Sequence, residues 1–276
     1  MRNMMSAALI AAGALLGWSG GAVAVADSAC TNLGGALQDD QTCRVHGATP
    51  AYTLDMTFPV DYPDEQTLTD YLSQNRDGFV NVAQTSSQTS GPRDVPYQME
   101  VTSEQYHSGQ PPGGTRSVVL KVFEDLGGPR PSTFYKGFNY DLGEQKAITF
   151  DTLFAPNTKP LDAIYPIVQR EMGKQTGLGA AILPGSGLDA SHYQNFAITD
   201  DELIFYFAPG ELLPSLAGAS QVHVPRNGIP PLAVKGAAVT IRKMRRDRTP
   251  WPACGDARTS RSLIETRSGR PARRRG

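Results

Sequence analysis

FAITDDELIFYF, residues 196–207, decides the fold class. Leu203, Phe205 and Phe207 alternate with Ile204 and Tyr206, so both faces of the segment are apolar. A strand of that kind belongs in the interior of a sheet, where each large side chain contributes roughly 1.5–3 kcal/mol on burial. Phe196 to Thr199 is its natural antiparallel partner, which leaves Asp200 and Asp201 at the hairpin tip, where Asp suits tight turns. The carboxylates Asp200, Asp201 and Glu202 therefore read as a turn. A catalytic pair needs a cleft between its members and a neighbour that raises one pKa, and a hairpin tip supplies neither.

Working outward, residues 51–58 and 95–106 alternate apolar and polar, as half-buried strands do. Residues 117–124 and 132–141 flank the turn DLGGPRP and predict a hairpin. Residues 146–154 read as a short strand entering a turn, and 221–225 as a last strand. Helical spacing covers residues 64–83, with Pro63, Asp64 and Glu65 at its start and a polar loop after it. A second helix runs over 161–177, striped by Leu161, Ile164, Val168 and Met172 and stopped at Gly177. The expected fold is α+β, a mainly antiparallel sheet with two principal helices and no βαβ regularity.

The 276 residues divide by charge. Residues 235–276 hold 13 Lys/Arg against 3 Asp/Glu, a surplus of +10, whereas residues 1–234 stand at −11. The N-terminus has the form of a signal peptide over 1–26: Arg2, an apolar run over 7–18, then AVAVAD with cleavage between Ala26 and Asp27. Export follows, with no stable membrane span after cleavage. In an oxidising compartment Cys30 and Cys43 close a loop of about 14 residues and pin the mature N-terminus. Cys254 is left over.

Ser186, Asp189 and His192 are the residue types of a hydrolytic triad. They are crowded into one Gly-rich loop, where triads draw on separated elements. The four histidines show no paired metal spacing, and no glycine loop precedes a lysine and a helix. No cofactor, metal or catalytic residue is assigned.

Three stretches carry a family resemblance: ITFDTLF (148–154), the helix at 161–177, and YQNFAITDDELIFYFAPGELLPSLAGASQVHVPRNGI (193–229). They resemble the extracytoplasmic domain shared by the anti-sigma factor RsiV and the secreted immunogenic proteins of mycobacteria. AYTLDMTFPVDYPDEQTLTDYLSQNRDGF and PPGGTRSVVLKVF resemble the mycobacterial branch in particular. The resemblance implies a secreted, non-enzymatic antigen that binds a protein partner, of host or lysozyme-like kind. Its body would have an N-terminal part over 27–110 and an RsiV-like domain over 111–234. Tyr206 and Glu211 are the expected partner-binding residues. The rival reading is a cell-wall or carbohydrate hydrolase using Asp200 or Glu202. Residues 235–276 have the composition of a disordered basic tail, which binds nucleic acid or an anionic surface if it binds anything.

Overall fold

The computed structural model describes residues 29–39, 41–90 and 94–234. The Ala26–Asp27 cleavage site, Cys254 and the Arg-rich tail lie outside the described residues. Among those residues no helix is long and apolar enough to cross a membrane.

The larger of two sheets runs in strand order β1 (Ala36–Asp39), β2 (Thr42–Ala48), β3 (Tyr52–Pro59), β4 (Tyr97–Ser108), β5 (Thr115–Asp125), β6 (Ser132–Asp141) and β7 (Lys146–Ala147). Helix α1 (Glu65–Ser90) connects β3 to β4, and those two strands are parallel. The other described pairings in both sheets are antiparallel. The fold is thus α+β and mainly antiparallel as expected, with one parallel βαβ crossover that the sequence pattern did not suggest. The Gly109–Gly114 turn, where the sequence reading divides the body, joins β4 and β5 of one sheet.

Apolar alternation settles which face α1 covers. Leu54, Met56 and Phe58 of β3, Tyr97, Met99 and Val101 of β4, and Val118, Leu120 and Val122 of β5 form one core with Leu68, Leu72, Phe79 and Ala83 of α1. Cys30 and Cys43 are joined by a disulfide and are buried in that core, tying the N-terminal segment to β2. α1 outruns its expected end at residue 83. Ser87 and Thr89 donate back to the carbonyls of Ala83 and Thr85, and no glycine or proline intervenes before Gly91.

The smaller sheet is β8 (Phe196–Ile198), β9 (Glu202–Phe207) and β10 (Ser220–Pro225), with β9 in the centre. Leu203, Phe205 and Phe207 pack with Ile164, Val168 and Met172 of helix α2 (Pro160–Thr176). Gly177 ends α2 at φ 72°, a left-handed geometry that suits glycine. On the opposite side of β9, Ile204 and Tyr206 pack with Val119 of β5 and Tyr135 of β6. Both faces of β9 are therefore buried, as its sequence requires.

The smaller sheet thus covers only part of the larger one. It lies over Glu104, Tyr106, Ser117, Val119, Tyr135, Gly137 and Asn139, and leaves the neighbouring half of that face open.

Candidate functional site

Strand periodicity places Arg44 and His46 of β2, Thr53, Asp55 and Thr57 of β3, Gln98, Glu100 and Thr102 of β4, and Phe123 of β5 on the open half. Cross-strand register aligns them in rows. His46, Asp55, Glu100 and Phe123 are successive partners across four strands, and Thr53 stands opposite Gln98 in the row beside them. Most of these side chains line a groove of about 450 Å³. Met99 and Val101 also border it, but their side chains are buried on the α1 face, so they contribute backbone only.

Arg44 Nη2 donates to Asp55 Oδ1 at 3.0 Å, and His46 Nδ1 lies 3.0 Å from the same oxygen. Burial pushes the Asp55 carboxyl up, but the hydrogen bonds from Arg44 and His46 outweigh it and hold the group below its ordinary range. Asp55 and Glu100 stand side by side on parallel strands. A groove with two neighbouring carboxylates is what the hydrolase reading required, but it is built from Asp55 and Glu100. Asp55 is held ionised, so it is not placed to keep a proton for general-acid work.

The residues singled out in the sequence lie elsewhere. Tyr206 is 2% exposed; its hydroxyl donates to Glu104 Oε2 at 2.8 Å and meets the Tyr106 hydroxyl at 2.7 Å. Glu211 accepts from Ala208 N at 2.8 Å and closes the turn after β9. Burial pushes the Glu211 carboxyl up, against the opposing pull of that hydrogen bond and of His192. Tyr206 and Glu211, the residues expected to bind a partner, thus make their hydrogen bonds within the fold, Tyr206 buried and Glu211 partly exposed.

The acidic triplet is a turn, though a docked one. Asp200 Oδ1 accepts from Gly109 N at 2.7 Å and Ser108 Oγ at 3.2 Å. Arg226, buried beneath it, donates through Nη1 to the carbonyls of Thr199 and Asp200 and to Ser108 Oγ. Glu202 pairs with His223 Nδ1 at 2.6 Å. In the crowded loop, Asp189 accepts from Ser191 N at 2.9 Å and His192 lies 4.0 Å from Glu211. Among the described residues no serine or threonine hydroxyl is hydrogen-bonded to a histidine, and no three His, Cys, Asp or Glu side chains gather to hold a metal.

The groove residues gave a partial signal. TLDMT and QMEVT alternate polar residues onto a wet face, which is legible; that the two wet faces adjoin depends on the parallel β3–β4 pairing, which is not. β2, which carries Arg44 and His46, was not anticipated as a strand.

A family model described as "Protein of unknown function (DUF3298)" matches residues 151–227. The chain is 64% identical over 234 residues to a Mycobacterium tuberculosis protein named Esterase Rv3036c, covering 85% of this chain and 100% of that one. It is 45% identical over 221 residues to Immunogenic protein MPB64 of Mycobacterium bovis and to Immunogenic protein MPT64 of Mycobacterium tuberculosis. Each alignment covers 80% of this chain and 95% of the relative. Among solved structures, a DUF3298 family protein from Pseudomonas aeruginosa PAO1 superimposes with TM-score 0.42 and 15% identity over 70% of this chain and 96% of that chain.

Proposed function

We propose that this chain, which belongs to the family of the mycobacterial immunogenic proteins MPB64 and MPT64 and the esterase Rv3036c, is an exported recognition protein that binds its partner through the open half of the large sheet. The observation that carries the reading is the uneven cover of that sheet. One half of the face is closed by the smaller sheet, and the adjoining half is a polar groove on rigid, fully paired strands. A rigid floor holds polar side chains in place before a partner arrives, which lowers the entropy lost on binding. The signal-like N-terminus and the disulfide suit a protein that leaves the cell. Placing a bulky charged side chain in the groove, Thr102→Arg, tests the reading. Partner binding should fall while the unfolding midpoint holds; binding equal to that of the parent chain would refute it.

A second reading, ester hydrolysis, is favoured by the name of the 64%-identical relative and by one geometry on β2 and β3, beside the groove. With Asp55 holding Nδ1 of His46, its Nε2 is left to accept a proton from water attacking an acyl carbonyl. Hydrolysis of p-nitrophenyl butyrate by the full chain, abolished by His46→Gln, would favour this reading. Turnover unchanged by that substitution would place any esterase centre elsewhere.

A further inference from the structure

We infer that the groove takes a neutral saccharide, an inference that rests on the groove being the recognition surface. The lining excludes the other ligand classes in turn. An anion is disfavoured, because Arg44, the one Lys or Arg among the lining residues, is already bonded to Asp55, and the lining sets the two carboxyl groups of Asp55 and Glu100 side by side; Lys121, opposite Thr102, stands outside that lining. An apolar ligand finds one apolar side chain, Phe123, since Met99 and Val101 turn away into the core. An extended peptide cannot add as a strand, because the groove floor is β2 to β5, whose backbone edges are already paired on both sides.

What remains is an array of short hydroxyls and planar polar groups around one ring. A pyranose carries hydrogens on its ring faces and hydroxyls around its rim. It therefore lays a face on an aromatic ring and bonds its rim to groups that donate and accept in pairs. Phe123 supplies the ring. Its row partner Glu100 supplies a two-oxygen acceptor, and Gln98 offers an amide with both a donor and an acceptor. Thr53, Thr57 and Thr102 add hydroxyls that rotate to either role, and the Arg44–Asp55 pair closes the β2–β3 side. The volume lies within the range of small-molecule sites and holds a short oligosaccharide segment. Few polar groups at fixed positions around an aromatic ring are what orient such a ligand.

The test titrates the full chain with chitotetraose, cellotetraose and mannotetraose by calorimetry, with inorganic phosphate and a lysine-rich peptide as contrasts. Saturable binding of a saccharide is expected, weakened at least about tenfold by Phe123→Leu or Gln98→Ala and unchanged by Glu144→Gln, outside the groove. Binding that Phe123→Leu leaves intact, or saturation by the phosphate or the peptide alone, overturns the inference. Failure of all three sugars also overturns it. If Thr102→Arg still abolishes partner binding in that case, the groove reading stands and the saccharide is wrong. If Thr102→Arg has no effect either, both fall.

Discussion

Asn139 Nδ2 donates to the Phe196 carbonyl oxygen at 2.9 Å, although Asn139 is 4% exposed and the two residues belong to different sheets. Asn139 Oδ1 in turn accepts from Ser117 Oγ at 2.6 Å, and Ser117 Oγ accepts from Ile198 N at 3.1 Å. β8 is an edge strand of the smaller sheet, and its outward backbone groups are buried against the larger one. Side chains of β5 and β6 satisfy them in place of another strand.

Replacing Asn139 with Ala strands the Phe196 carbonyl and the Ser117 hydroxyl together. An orphaned buried group costs roughly 1–3 kcal/mol, so a loss of about 2–4 kcal/mol is expected. Urea unfolding measures it, and Thr89→Ala, on the exposed face of α1, should change stability by less than about 0.5 kcal/mol.

At Gly137 the two sheets approach closely. A Cβ there would lie 3.0 Å from both the backbone nitrogen and the carbonyl oxygen of Phe196. Backbone cannot swing aside as a side-chain tip does, so Gly137→Ala is expected to cost about 1–3 kcal/mol, the range for overpacking. Gly78→Ala, with nothing within 4 Å, should hold or gain stability.

The disulfide anchors the segment before β1. Replacing Cys30 and Cys43 together with Ser removes the constraint on a 13-residue separation and should lower stability by roughly 3 kcal/mol. The parent chain should show a loss of similar size when unfolded in dithiothreitol, and the double variant should show none.

Asp55 sets a pH dependence whose sign is fixed. Its folded pKa lies below the ordinary 3.8, so its contribution is complete above that value and fades as pH falls through the lower folded one. Asp55→Asn should therefore narrow its stability difference from the parent chain between pH 7 and pH 2.5. The side chain is 40% exposed, so that difference is small even at pH 7. Arg44→Ala should move the carboxyl titration upward, read by NMR.

The same residues show how far the sequence was legible. Phe205 and its neighbours fixed a buried central strand because apolar residues on both faces have few other places to go. The stripe of Ile164, Val168 and Met172 fixed α2, and the Asp200–Asp201 turn followed from the chemistry of Asp. Tyr206 misled because an aromatic residue suits an interface and a core alike, and only the packing of β9 onto β5 and β6 separates them. Ser117 and Asn139 look like wet-face residues in a half-buried strand. Their burial depends on β8, far away in the sequence, lying across β5 and β6. The groove was hidden for a related reason: Asp55 and Glu100 become neighbours only through the parallel crossover of α1.

The most direct measurement is the binding of a partner isolated on the full chain, compared between that chain and Thr102→Arg by biolayer interferometry at matched unfolding midpoints. Because Thr102 is exposed within the groove, the added guanidinium fills the site without entering the core. A loss of at least about tenfold in affinity is the expected result. Unchanged affinity, with the fold intact, would contradict recognition through the open half of the sheet.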